Sequence, residues 1–315
     1  MRAVEFTGYG PPEAAQVAEV GEPHAGPGEI RVAVRASGLS AGEAHLRAGK
    51  MREFVPLEFP YRSGFDAAGV VDELGEGVSG TAIGDEVFGF TSMTRRGANA
   101  DHAVFVVWAP KPAAWSWAEA GGAAGSVETS TRVLDRLDLG AGQTLLVQGA
   151  AGGVGTVAVQ MAIARGAKVI GTASERNHEF LRSLGAEPTT YGEGLVERVR
   201  ALAPDGVDAV FDCAGGALPD LVTLAGDPAR VVTIAPDLTA AEHGVHMSHS
   251  AEADSDSGLG DADPLAAHGL DVAVKLAAEG KLRVPVAATF PLTDVAGAHE
   301  LSETRHARGK IVLVH

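Results

Sequence analysis

The spacing of apolar positions changes part-way along the chain. Up to about residue 120, short runs alternate apolar and polar side chains between Gly and Pro turns, the pattern of half-buried strands. Strands are expected in the opening MRAVEF and at 30–34, 67–74, 85–90 and 101–108. A short helix is expected at 40–49, carrying Glu43, His45 and Arg47. Ser116-Trp117-Ala118-Glu119 has capping-box spacing, so a helix should begin there. From 123–137, helical in composition, the chain alternates. Strands are expected at 145–147, 168–172, 207–211 and 230–234, and helices at 175–184 and 193–203, with Ser174 a candidate N-cap. Such alternation predicts an α/β fold with a doubly wound parallel sheet over about 123–283. Later, 264–279 and 293–304 read as helices and 285–290 and 310–314 as extended segments, the last returning to the first domain. The stretch 240–263 has no clear period and holds Glu252, Asp254, Asp256, Asp261 and Asp263.

The chemistry-bearing stretch is TLLVQGAAGGVG, residues 144–155. An apolar strand breaks into Gly149, Gly152, Gly153 and Gly155. A helix follows in which Val154, Val157, Ala158, Met161 and Ala162 share a face. Strand, glycine turn and helix in that order open a dinucleotide-binding βαβ unit. The glycines let amides approach a pyrophosphate, and the helix N-terminus attracts its charge. The spacing is shifted from strict G-x-G-x-x-G, and a bare tight turn is the simpler alternative. The residues assigned to the pyrophosphate are Ala151, Gly152, Gly153 and Val154. After the second strand, where NAD-binding units place an acid, stands Thr172-Ala173-Ser174-Glu175-Arg176. Ser174 and Arg176 suit a 2′-phosphate if Glu175 points away, so NADPH is expected over NADH. Ser174 as a plain N-cap and Arg176 as a solvated helix charge are the alternatives.

Composition narrows the partners. The 315 residues suffice for two domains, and 45% hydrophobic with 21% charged residues marks a globular chain. A net charge of −16 disfavours nucleic acid and anionic membrane as partners. Cys213 is the sole cysteine, which excludes an intrachain disulfide and a thiol-rich metal cage. It reads as a buried small hydrophobe. The first residues look like a strand rather than a signal peptide, and no apolar run spans a bilayer, so a cytoplasmic location is expected. The Gly-Lys pairs do not continue into a phosphate loop, and no Tyr-x-x-x-Lys follows Tyr9, Tyr61 or Tyr191. His243, His246 and His249 recur every third residue; a transition-metal set and a solvated loop are the two readings, the loop preferred.

The chain resembles the zinc-free quinone oxidoreductase (zeta-crystallin-like) branch of the medium-chain dehydrogenases/reductases. The resemblance is carried by Gly64 to Val71 (GFDAAGVV), Gly84 to Gly89 (GDEVFG), the AAGGVG run and Arg308 to Leu313 (RGKIVL). It implies a GroES-like barrel over 1–122, completed by 284–315, a Rossmann domain over 123–283, a cleft between them and a homodimer. It also implies that Ser40, Thr129, Ala214, Ile234 and Ala235 lie near the nicotinamide. Tyr191 matches a family tyrosine that bonds the 2′-phosphate; the alternative is a packing residue. In zinc-dependent relatives, His and Glu stand at Phe65 and Asp66 and a cysteine at Ser40, and a cysteine-rich lobe falls near 90–110. These ligands are missing, so the chain is expected to be metal-free. Asp66 is read as bonding backbone. Relatives often carry Asn at Ser40 and Tyr at His45. His45 and Ser40 are therefore the candidate substrate contacts, with Glu43 a possible orienting partner; a polar residue on an exposed helix is the plainer reading of His45. Without a strong Lewis acid the acceptor should already be electron-poor, a quinone or an α,β-unsaturated carbonyl. Two rivals remain: a biosynthetic enzyme acting without net reduction, and a noncatalytic NADPH-binding sensor or partner protein.

Overall fold

The computed structural model describes residues 1–236, 239–250 and 261–315. It divides into two units: Met1–Glu128 with Ala267–His315, and the described residues between 129 and 266.

The first unit begins with β1 (Arg2–Phe6), β2 (Ala15–Glu19), β3 (Ile30–Leu39), α1 (Ala41–Arg47), β4 (Tyr61–Arg62), β5 (Asp66–Leu74) and β6 (Glu86–Phe90). Then come β7 (His102–Phe105), β8 (Val107–Pro110), α2 (Trp117–Gly121) and α3 (Ala124–Arg136), the last crossing into the second unit. A small sheet has the order β2-β1-β4. β3 is the spine of the larger sheet, antiparallel to both β5 and β7. Its first half alternates inward apolar and outward polar residues, burying Ile30, Val32 and Val34 with Val71, Val87 and Phe105. The segment 101–108, expected as one strand, is two. β7 pairs with β3 and β8 with β6, so the chain changes partner at Val106. The capping box forms as the spacing predicts: Glu119 N donates to Ser116 Oγ at 3.3 Å, and Ser116 N donates to Glu119 Oε2 at 2.8 Å.

The second unit runs β9 (Thr144–Gln148), α4 (Gly155–Ala164), β10 (Lys168–Thr172), α5 (His178–Ser183), β11 (Glu187–Thr189) and α6 (Leu195–Leu202). It continues β12 (Ala209–Asp212), α7 (Leu218–Ala225), β13 (Val231–Thr233) and β14 (His246–Met247). All six strands are parallel, in the order β11-β10-β9-β12-β13-β14. Counted within the unit this is 3-2-1-4-5-6, the Rossmann order, which reverses direction at β9. α4 is buried from Gly155 to Ala162 on every side rather than along one stripe.

The expected helix at 175–184 is a 3-10 turn, Glu175–Asn177, followed by α5. In 240–263, residues 251–260, with Glu252, Asp254 and Asp256, lie outside the described residues. The flanks are built rather than merely solvated. Ser250 bridges Asp263, and buried Asp263 accepts from His246 Nε2 at 3.0 Å and Arg136 Nη1 at 2.6 Å. His243 ends a separate 3-10 turn, and His249 Nδ1 lies 3.3 Å from Met247 O. Among the described residues no three His, Cys, Asp or Glu groups gather as a metal set.

The chain then rejoins the first unit with α8 (Gly269–Ala278), β15 (Val286–Pro291), α9 (Val295–Glu303) and β16 (Lys310–Val314). α8, expected inside 123–283, packs against β8 instead. β16 pairs antiparallel with β3 and parallel with β15. No helix among the described residues is long and apolar enough to cross a membrane.

Candidate dinucleotide and acceptor sites

The turn after β9 is fixed by two glycines. Gly149 has φ 76°, a backbone state other residues rarely adopt. A Cβ at Gly155 would lie 2.4 Å from Gly149 O and 2.8 Å from Ala150 Cα, so the helix can start this close to the strand only without a side chain. Gly149 N donates to Thr172 Oγ1 at 3.0 Å, and that hydroxyl donates to Gln148 Oε1 at 2.6 Å. The ends of β9 and β10 are thereby tied together. α4 then begins after Val154 with no side-chain cap. Gly152 N donates back to Gly149 O at 3.1 Å, Thr156 N to Gly152 O at 3.0 Å and Val157 N to Val154 O at 3.0 Å, so among the described residues the amides left over are those of Gly153, Val154 and Gly155, at the positive end of the helix dipole. Ala151 is buried; Gly152, Gly153 and Val154 are half-buried beside this opening. An uncapped helix start behind a tight glycine turn, at the reversal point of the sheet, fits a dinucleotide pyrophosphate.

β10 and β11 run side by side with Thr172 opposite Thr189, and Ala173 N donates to Thr189 O at 3.0 Å. Ser174 and Tyr191 therefore follow the ends of two neighbouring strands, at one edge of the sheet. Ser174 has the extended backbone of an N-cap, yet its side chain does not cap; its Oγ accepts from Asn177 Nδ2 at 3.3 Å. Arg176 is exposed and makes no hydrogen bond or ion pair among the described residues. Glu175 is also exposed. Tyr191 is 57% exposed, so it is not a core packing residue.

On the other side of β9, one buried carboxylate orders two turns. Asp212 Oδ1 accepts from Ala214 N at 3.0 Å and Gly215 N at 2.9 Å. Its Oδ2 accepts from Thr233 Oγ1 at 2.8 Å, and that hydroxyl accepts from Ala235 N at 3.1 Å. Ala214, Ile234 and Ala235 are thus held by Asp212 and Thr233, which the sequence reading missed. The only advance signal was an Asp closing a buried apolar strand. Cys213 sits between, half-buried as a residue, its thiol raised well above the usual pKa by burial and the neighbouring Asp212 charge. Thr129 lies on α3, half-buried, with Arg132 Nη2 donating to its hydroxyl at 3.4 Å.

The first unit holds the remaining candidates. Ser40 caps α1: Glu43 N donates to Ser40 Oγ at 3.2 Å and Ser40 N to Glu43 Oε2 at 3.0 Å. Glu43 does not orient His45. Its other oxygen accepts from Gly64 N at 2.6 Å and Asn99 Nδ2 at 3.3 Å, binding α1 to the start of β5 and the loop before β7. Burial raises the Glu43 pKa. His45 is half-buried, and its Nδ1 is enclosed without a partner. Burial first, then Lys50 and Arg305, lower its pKa, which keeps the ring neutral near pH 7. Asp66 Oδ2 accepts from Gly125 N at 3.0 Å, with Lys310 Nζ 4.0 Å away. Phe65 stacks on Phe90 at 5.0 Å, and the Arg96 guanidinium lies over its ring.

Comparison with known proteins bears on the family and the fold. Residues 184–313 match the zinc-binding dehydrogenase family, and residues 26–134 the alcohol dehydrogenase GroES-like domain. The chain is 30% identical to the chloroplast envelope quinone oxidoreductase homolog of Arabidopsis thaliana, over 99% of this chain and 98% of that protein. It is 29% identical to a chloroplastic NADPH-dependent alkenal/one oxidoreductase of the same plant, over 99% of this chain and 79% of that one. A 198-residue stretch is 35% identical to the spectinabilin polyketide synthase system protein NorB of Streptomyces orinoci, spanning 62% of this chain and 9% of that protein. The structure of Escherichia coli quinone oxidoreductase complexed with NADPH superposes with a TM-score of 0.79 at 25% identity, covering 100% of both chains.

Proposed function

From the premise that this chain belongs to the medium-chain dehydrogenase/reductase superfamily, among its quinone oxidoreductases, we propose that it is an NADPH-dependent, zinc-independent reductase of quinones or α,β-unsaturated carbonyls. The observation that carries the reading is the uncapped start of α4 behind the Gly149–Gly155 turn, where the sheet order reverses. NADPH, when bound, supplies the hydride. Ala151, Gly152, Gly153 and Val154 hold its pyrophosphate. Ser174, Arg176 and Tyr191 hold the 2′-phosphate, a choice supported by Arg176, unpaired among the described residues, and by the hydroxyls that follow β10 and β11. Thr129, Ala214, Ile234 and Ala235 border the nicotinamide.

Ser40 and His45 face the acceptor in this reading. The Ser40 oxygen already accepts from Glu43 N, so its own O–H remains to donate. Neutral His45 offers one N–H and one lone pair. Zinc independence is supported by what stands at the metal-ligand positions. Ser40 caps a helix, Phe65 is stacked on Phe90, and Asp66 is engaged by Gly125 N and Lys310. Within the same proposal the chain is a cytoplasmic homodimer.

The test is NADPH oxidation with a panel of quinones and enones, under chelation. One NADPH consumed per acceptor reduced is expected; absence of turnover across the panel overturns the reading. The likeness to a polyketide synthase system protein supports a biosynthetic setting; the rival there is a step without net reduction. Product formed while NADPH is conserved would establish that rival, and tight NADPH binding with no product at all would favour a sensor.

A further inference from the structure

Hydride addition to a conjugated carbonyl leaves a charge that a metal-free site must still stabilise. The first unit holds a cation suited to this. The loop after β6 carries two consecutive arginines with different fates. Arg95 is engaged: its Nη1 lies 2.8 Å from Glu29 Oε2. Arg96 is not. Its Nε donates to Met93 O at 3.1 Å, and among the described residues Nη1 and Nη2 donate to nothing.

The position of Arg96 is held by design of the loop rather than by an ion pair. Arg96 N donates to Ser92 O at 3.0 Å, and the residue adopts φ 52°, a left-handed state that disfavours a branched or bulky side chain. Strain of this kind persists where surrounding structure imposes it, and it gathers at functional sites. The guanidinium Cζ lies 5.2 Å from the centroid of Phe65, the residue at a metal-ligand position of zinc-dependent relatives. Its charge is near enough to act on buried Glu43 and on Tyr61. Glu43 in turn grips Ser40 N and Gly64 N. Arg96 thus lies over Phe65, and Glu43 ties Ser40 to Gly64, the residue before Phe65, within the same unit.

We propose that Arg96 is a catalytic residue that receives the negative oxygen of the reduced acceptor through its free Nη groups. The proposal rests on the reductase reading above. The acceptor gains two electrons and a hydrogen nucleus as hydride at its β-carbon, or at a quinone ring position. Its π pair moves onto the carbonyl oxygen, forming an enolate, while NADPH becomes NADP+; a quinone adduct then reaches the hydroquinone as its sp3 ring carbon gives a proton to solvent and both oxygens are protonated. The anion pairs with Arg96 until a proton from solvent completes the product. Arg suits this task because it stays charged and presents a planar fork of donors.

The test uses two readouts, one of which needs no cofactor. 4-Nitrophenol, a phenol whose ionisation is visible in its absorbance, serves as a probe of the anion site in the cofactor-free protein. The wild type should lower the pKa of bound 4-nitrophenol by about one unit or more. Arg96→Gly relieves the left-handed backbone, so its thermal midpoint should not fall; it should abolish the shift, and Arg96→Lys should keep part of it. Under turnover, Arg96→Gly should lower kcat about 100-fold or more with the Kd for NADPH unchanged, and added guanidinium should restore activity. Equal titration of the phenol by wild type and Arg96→Gly, or no binding by the wild type, overturns the assignment. If the phenol shift behaves as stated but no acceptor is reduced, the reductase reading fails and the anion site stands.

Discussion

Arg176 stands just past β10 with its guanidinium in solvent and unpaired among the described residues. Arg176→Ala should raise the Michaelis constant for NADPH about tenfold and leave that for NADH nearly unchanged. Equal changes for the two cofactors would remove Arg176 from the phosphate site. Gly155 makes the second residue-scale prediction. A methyl group there meets Gly149 O and Ala150 Cα far inside contact distance. Gly155→Ala should destabilise the fold by about 1–3 kcal/mol in urea unfolding and weaken NADPH binding in the same protein. The glycine turn, and the place of Ser174, Glu175 and Arg176 just past β10, could be read in advance because local spacing carries them. Asp212, Thr233 and Arg96 could not. Asp212 acts on amides two and three residues ahead and on a hydroxyl in the neighbouring strand, and Arg96 acts across a ring brought close by the fold. No periodicity encodes such contacts. Glu43 shows the converse: its helix position was legible, its partners were not.

Among elements, the packing of α1 against α9 has a pH signature. Arg47 on α1 is fully buried and donates to Gly10 O, to Glu303 at the end of α9, and from Nε to His299 Nδ1 at 3.4 Å. Burial, and then the Arg47 charge, push the His299 pKa down to about 3. The folded ring stays neutral, whereas in the unfolded chain it takes up a proton near the ordinary histidine value. Stability present above about pH 6.5 is therefore lost as pH falls toward 3, about 2 kcal/mol of it by pH 5. His299→Gln should flatten the fall of unfolding free energy over that window; an unchanged slope would mean that other groups set it. Element type was legible wherever period and capping agreed, as in α2 and in β9, β10, β12 and β13. Several elements were not expected, β2, β4 and α7 among them, and three further features escaped for physical reasons. Pairing to two different neighbours splits β7 from β8. β14 is only two residues long, and β11 carries a proline. Neither presents a period to detect.

For the molecule as a whole, two outcomes are expected. Activity should survive exhaustive chelation; loss that zinc restores would overturn the metal-free proposal. NADPH at one hundred times its Kd should stabilise the protein by about 2.7 kcal/mol, seen as a raised unfolding midpoint, and no shift at saturation would remove the nucleotide site. The final strand has one more implication, for biosynthesis. β3 leaves the ribosome before the second unit, but β16, its neighbour in the sheet, follows that unit. Translation thus delivers all six strands of the second unit while the first still lacks a central member. The nascent first unit must wait with an open seam of unpaired amides and carbonyls, a substrate for chaperones that a circularly permuted gene, starting β16 ahead of β1, would no longer present.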